Sequence, residues 1–241
     1  MQIPNELLWI AFLIGDLLLA LLVYRLFGRD GLIVYIVLAI IACNLQVLKL
    51  VDIFGVTTTL GNVLYGSIFF CTDLLSEVHG KAEARRAVWL GFAAIILVTL
   101  FMQVALWFKP SAYDEVQPHL VAIFGFLPRV VAASLVAYMA SQFHDVWAFH
   151  WWRKRFAGRH LWLRNNASTM VSQLLDSTVF VLLAFAPLPV LGAIPGFESW
   201  KEVIIPIWVT TYVIKLIVAL VDTPFLYWGR AIGMRLVAAR G

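Results

Sequence analysis

Apolar residues in this chain neither alternate nor recur as a narrow stripe. They run in seven blocks near positions 7–27, 32–53, 59–78, 87–108, 119–143, 168–188 and 203–227. Each is roughly the 20 residues that a helix needs to cross a bilayer core. In hydrocarbon a spanning segment must satisfy its own backbone polar groups, which leaves the helix as the economical choice. The pattern therefore predicts an all-α, polytopic membrane helix bundle of about seven transmembrane helices, one integral domain over 1–241. The first block does not read as a secretory signal. Its leader MQIPNE carries no Lys or Arg, and Arg25 and Arg29 follow the block instead.

The loops carry the orientation. Arg25 and Arg29 are followed, two connections later, by Lys81, Arg85 and Arg86. Next come Arg153, Lys154, Arg155, Arg159 and Arg164, then Arg230, Arg235 and Arg240. The alternate loops mix Lys109 with Asp114 and Glu115, and Lys201 with Glu198 and Glu202. Basic loops stay cytoplasmic, so the N-terminus is expected outside and the C-terminus inside. Trp9, Tyr24, Trp107, Tyr113, Trp200 and Tyr227 at block ends suggest an interfacial belt. Gly125 and Pro128 suggest that the fifth span is broken at its outer end and starts afresh at the proline. Below them Ala133, Ala137, Ala140 and Ser141 form a small-residue ridge suited to close helix packing.

Composition agrees with this scheme. Hydrophobic residues make up 62% of the 241 and charged residues 13%, far from the soluble balance of about 45–50% and about 25%. Cys43 and Cys71 both fall inside apolar blocks and read as core thiols. The net charge of +4 is sorted by loop and gives no reason to expect nucleic acid. Walker A, GxGxxG, HExxH and GxSxG patterns are absent. His144 and His150, with Asp145, sit at a span end with the wrong spacing for one helical face, so no metal site is expected. No cofactor is implied, and the chain is not expected to be an enzyme.

The chemistry lies in the polar residues inside the blocks. Gly66, Phe70, Asp73 and Glu77 share a stripe at helical spacing. So do Thr169, Gln173, Asp176 and Phe180, with Ser177 beside them, and Thr211, Lys215 and Asp222. Asn44 lies at mid-depth in the second span and Lys49 towards its outer end. Arg129 lies in the outer third of the fifth span, and Asp16 is central in the first. Lys49 and Arg129 have a structural alternative, snorkelling to the interface. Glu77 and Asp222 are near enough to the cytoplasmic end to be ordinary end-of-helix charges. Asp16 fits a protonated, hydrogen-bonded packing role as well as any other. Asp73, Asp176 and Lys215 have no cheap escape to solvent. A charge there costs about 2.5–3.5 kcal/mol on insertion scales, which makes such groups functional candidates facing one another or a wet cavity. A polar pocket near the bilayer midplane, built from several helices, suits a transporter.

The ordered set of residues is similar to a known family. It comprises Asn44, the run Lys49-Leu50-Val51-Asp52-Ile53-Phe54-Gly55, Thr72-Asp73 with Glu77 and Gly80, and Ala84-Arg85-Arg86. Pro128-Arg129, Ala137-Tyr138 through Asp145, Ser168-Thr169 with Gln173 and Asp176-Ser177, and Lys215 complete it. Together these resemble the queuosine precursor transporter family of the vitamin uptake transporter group. The resemblance implies a six-helix core, here 31–230, preceded by an added N-terminal helix over 1–30. Position 177 is Ser where members often have Thr.

It also implies import of a purine-like base, 7-cyano- or 7-aminomethyl-7-deazaguanine, through the bacterial inner membrane. The base presents N1–H beside an exocyclic amine, a donor pair that a carboxylate accepts in bidentate fashion. The residues expected to bind it are Asn44, Lys49, Phe70, Asp73, Arg129, Gln173, Asp176, Phe180 and Lys215, with Phe69 and Tyr65 as further ring walls. Glu77, Arg85, Arg86 and Asp145 are expected at the cytoplasmic interface or in gating. Proton coupling through one aspartate, and assembly as a homo-oligomer, are compatible with the sequence. Two other readings stand beside this one. The first is a substrate-binding subunit that needs a separate energising ATPase module. The second is an intramembrane enzyme using Asp73 and Asp176 as an acid pair.

Overall fold

A computed structural model describes residues 3–155, 161–187, 192, 194 and 197–238. The side chains of 142, 143, 145–155 and 161–169 lie outside the described residues, and with them those of Asp145, His150 and Thr169. Among the described residues seven α-helices follow one another: α1 (Asn5–Gln46), α2 (Asn62–His79), α3 (Lys81–Trp107), α4 (Gln117–Phe124), α5 (Leu127–Arg155), α6 (Leu161–Ala184) and α7 (Ile205–Ala238). A single π-helical turn, Trp200–Ile204, leads into α7, with the Ser199 hydroxyl accepting from the Glu202 amide.

The 42 residues of α1 are not one rod. Gly28 breaks the helix with φ 65° and ψ −145°, a conformation that only glycine adopts without strain. A straight helix would hold residues 16 and 35 about 28 Å apart at 1.5 Å per residue, yet the Tyr35 hydroxyl reaches the Asp16 carbonyl at 3.0 Å. The first two apolar blocks are therefore the two arms of a helical hairpin.

The second block ends earlier than its hydrophobicity suggests. After Gln46 the chain forms strands β1 (Leu50–Ile53) and β2 (Val56–Thr59), paired antiparallel with Leu50 opposite Thr59 and Ile53 opposite Val56. Phe54 and Gly55 turn the hairpin with φ of 53° and 75°, the signs of the primed turn that matches strand twist. Asn5 donates to the Asp52 carbonyl and Glu6 accepts from the Phe54 amide, so the hairpin rests on the start of α1. The fifth block does break where Gly125 and Pro128 suggest, between α4 and α5, with Pro128 in the first turn of α5.

Among the described residues four stretches are long and apolar enough to cross a membrane: Asn5–Gln46, Lys81–Trp107, Gln117–Ser141 and Trp200–Ala238. Met170–Ala184 is a shorter apolar helix. Large apolar side chains such as Leu18, Leu22, Leu97, Phe101, Val209 and Leu220 point outward, whereas Asp16, Asn44, Ser67, Asp176 and Lys215 are buried. That inversion of the soluble pattern is what a lipid environment requires. The chain is a multi-pass helical membrane protein. Of the expected aromatic belt, Trp107, Tyr113, Trp200 and Tyr227 are exposed. Trp9 and Tyr24 are not, because both pack inside, with the Tyr24 hydroxyl 3.0 Å from His79 Nε2.

The described chain forms two compact units, residues 1–127 with 217–241 and residues 128–216. In the first, α2 and the C-terminal part of α7 run in the same direction: Gly66 lies against Val218, Gly229 against Leu74, and Gly233 against Val78. Both arms of α1 pack into this unit through Leu17, Leu32 and Ile36. In the second, Ala133, Ala137 and Ser141 of the predicted ridge are buried. Phe185 packs between Phe180, edge-on at 5.5 Å, and Phe197, stacked at 4.5 Å.

A Cβ at Gly66 would overlap the Val218 side chain. Gly66→Leu is therefore expected to destabilise the protein by about 1–3 kcal/mol. Thermal unfolding in detergent should show this, and Val218→Ala in the same chain should recover part of the loss.

Candidate functional site

In the first unit the polar face of α2 is built by helical spacing. Tyr65, Phe69 and Asp73 follow one another at four-residue intervals and are half-buried or exposed, with Tyr65 and Phe69 edge-on at 5.1 Å. Thr72 spends its hydroxyl on the Phe69 carbonyl. Asp222 on α7 is close enough to Asp73 for their charges to interact. Phe70 shares the predicted stripe but is only 1% exposed, a core residue, so the aromatic surface open beside Asp73 comes from Tyr65 and Phe69. One turn on, Glu77 pairs with Arg230 at 3.3 Å, both half exposed, an arrangement worth about 0–1 kcal/mol. Arg86 and Arg29 both approach Glu83, at 3.8 and 3.7 Å, and Arg85 is exposed.

Asn44 is buried, and its amide nitrogen donates to the Ile40 carbonyl at 2.8 Å. Lys49 is exposed and lines a cavity of about 880 Å³ together with Asn5, Trp9, Gln46 and Asp52. Gln46 Oε1 is buried there with no hydrogen-bond partner among the described residues.

The second unit holds the strongest electrostatic feature. Lys215 on α7 pairs with Asp176 Oδ2 on α6, with exposures of 7% and 3%. Ser141 on α5 reaches Asp176 Oδ1 at 3.5 Å. Two side chains beside Asp176 on α6 have buried polar atoms without a partner among the described residues, Gln173 Oε1 and Ser177 Oγ. Unsatisfied buried atoms are rare in native proteins and point to a ligand, a water or a change of state. Carboxylate and ammonium thus meet in this unit, with Gln173 Oε1 and Ser177 Oγ on the same helix as the carboxylate still unspent. Nearby, His144 Nδ1 lies 3.0 Å from Ser172 Oγ.

Arg129 does something the sequence did not suggest. Its guanidinium donates to the carbonyls of Leu183 (2.9 Å), Ala186 (2.5 Å) and Gly192 (2.8 Å). The first two lie at the C-terminal end of α6, where the helix dipole favours a cation, and the third lies beyond it. Sequence reasoning named Tyr65 and Phe69 as ring walls but missed Gln46, for which no stripe or spacing gave a signal.

Removing one partner of a buried ion pair strands the other charge. Lys215→Met is therefore expected to cost about 3–5 kcal/mol, and Asp176→Leu with Lys215→Met much less. Unfolding midpoints of the purified variants measure the difference.

The family model described as "Putative vitamin uptake transporter" matches residues 59–229. That range includes Asp73, Arg129, Gln173, Asp176, Phe180 and Lys215. A "Probable queuosine precursor transporter" of Bacillus subtilis is 46% identical over 224 residues, 92% of this chain and 93% of that protein. The "Queuosine precursor transporter" of Escherichia coli is 27% identical over 184 residues, 76% of this chain and 77% of that protein. A "Probable queuosine precursor transporter" of Haemophilus influenzae is 26% identical over 145 residues, 60% of this chain and 59% of that protein. No solved structure matches at a significant level. The chain belongs to the vitamin uptake transporter family and, within it, to the queuosine precursor transporters.

Proposed function

We propose that this protein imports queuosine precursors, 7-cyano-7-deazaguanine, its 7-aminomethyl counterpart or both, across the bacterial inner membrane. The observation that carries the reading is 46% identity over 92% of the chain to a relative named for that cargo. The local chemistry supports it. A 7-deazaguanine presents N1–H and its amine side by side, and each aspartate offers the matching pair of acceptors. Gln173 Oε1 and Ser177 Oγ, unspent beside Asp176, suit the remaining edge of the base. Tyr65 and Phe69 give Asp73 an aromatic neighbour against which a flat ring stacks.

The proposed topology has seven spans, with both arms of α1 crossing, α4 as a partial entry ahead of α5, and the basic ends cytoplasmic. The N-terminus then lies outside and the C-terminus inside. Lys49, with its cavity at the outer end, lies where an incoming base is first met. Asn44, Arg129 and Phe180 are each held by contacts within their own unit, which suits a supporting role more than direct contact with the base. Transport is proposed to be powered by a proton gradient, a common use of intramembrane acids.

In cells unable to make either base, Asp73→Asn and Asp176→Asn are each expected to abolish uptake of labelled 7-deazaguanines while membrane insertion stays normal. Wild-type uptake by both variants would take these residues out of the site. In proteoliposomes, uptake should accelerate when the outside is made more acidic. Indifference to both pH gradient and membrane potential would end the proton-coupling reading. Uptake that stops in cells stripped of energising ATPase modules would replace a standalone importer with a module-dependent subunit.

A further inference from the structure

Asp16 lies midway along the first arm of α1, outside the residues matched by the family model, and is 5% exposed. Three segments meet at its carboxyl: its own arm, the second arm through Tyr35, and α2 through Ser67 and Cys71. The titratable groups facing it are the Tyr35 phenol and the Cys71 thiol, neither of which supplies a positive charge. Among the described residues the ion pairs fall elsewhere, on Arg29, Arg86, Lys215 and Arg230.

Counting protons decides the state of this carboxyl. Tyr35 Oη lies within hydrogen-bond reach of two Asp16 oxygens, the backbone carbonyl at 3.0 Å and Oδ1. A phenol has one proton to donate. If that proton goes to the carbonyl, the contact with Oδ1 needs a proton from the carboxyl. If it goes to Oδ1, the carboxylate still has Oδ2 buried with no donor. Ser67, beside the carboxyl, does not fill the gap, because its hydroxyl is already donated to the Leu64 carbonyl at 2.9 Å. The lone pairs of Ser67 are then acceptors, which suits a carboxylic O–H and not a carboxylate. An ionised Asp16 would be a buried charge with neither counter-ion nor full hydrogen bonding, the costliest arrangement a core can hold. One added proton on the carboxyl removes the buried charge and supplies the donor that the Oδ1 contact lacks when the phenol serves the carbonyl.

We propose that Asp16, with Tyr35 and Ser67, is a proton-binding site that holds a proton on the Asp16 carboxyl while the α1 arms and α2 are packed together. The ligand is a proton and the site is distinct from the pair formed by Asp176 and Lys215, where a lysine supplies the compensating charge. Because three segments close around the proton, its release is linked to their separation. A conformation that lets water reach Asp16 binds the proton less tightly, and by linkage a rise in pH favours that conformation.

Infrared spectroscopy of the full-length protein in lipid at neutral pH tests this through the carbonyl stretch of a protonated carboxyl, a band that a carboxylate lacks. Wild type is expected to show an aspartic acid band that ¹³C-carboxyl aspartate displaces. Asp16→Asn should lose that band, and Asp73→Asn should keep it. Tyr35→Phe should keep it at a displaced frequency, since the phenol is a hydrogen-bond partner. Asparagine copies the neutral acid in shape, so Asp16→Asn is also expected to fold, with an unfolding midpoint no lower than wild type at neutral pH. A band unchanged by Asp16→Asn overturns the proposal, as does an Asp16→Asn chain that cannot fold.

Discussion

Hydrocarbon offers no water to finish a hydrogen bond, so each polar group in this chain must be satisfied by the chain or by something it carries. The backbone meets that demand with helices, and the exception, the β1–β2 hairpin, lies at the end of the α1 hairpin beside Asn5 and Glu6. Side chains meet it in three ways. Ser67, Thr72, Thr99 and Thr178 return their hydroxyls to carbonyls three or four residues back on the same helix. Arg129 spends its charge on two carbonyls at the end of α6 and on that of Gly192. Asp176 takes a lysine. Among the described residues, buried polar atoms without a hydrogen-bond partner remain at Asp16, Gln46, Glu83, Gln173 and Ser177, a short set and the natural place to look for function.

The same constraint explains the packing. With lipid as apolar as leucine, helices gain little from burying leucine and gain instead from close contact. Gly66 and Gly229 let α2 and α7 meet at distances that a side chain would forbid. Asp73 and Asp222 lie on those two helices, so the contact that brings the helices together also sets the spacing of two acids. The first arm of α1 shares in this assembly. Leu21 reaches Gly229, Tyr24 reaches His79, and Asp16 reaches Tyr35, so the arm is tied to its unit along its whole length.

Much of this was legible in the chain. Block lengths disclose the helices, and Gly125 with Pro128 discloses the break before α5, because both signals act locally through the backbone. The small-residue ridge on α5 was legible for the same reason. The β hairpin was not, since Leu50 to Ile53 is as apolar as the helix before it, and only the Phe54-Gly55 turn and the threonines separate the two. The pairing of Lys215 with Asp176 was open between two aspartates, because periodicity assigns a face within one helix but not the partner across from it. Phe70 was misplaced as an open ring wall for a related reason. It shares an azimuth with Asp73, but at its depth along α2 that face is packed shut.

The acids of the two units have different neighbours, and those of Asp176 bear on the proposed cargo. Asp176 is neutralised by Lys215, so a base approaching it meets a carboxylate whose charge is already balanced, with an amide and a hydroxyl to one side. Such a place suits a neutral, hydrogen-bonding edge. Asp73, in the other unit, has a second acid, Asp222, within electrostatic range. On the proposed reading, the guanine-like edge common to both precursors is what the surroundings of Asp176 suit.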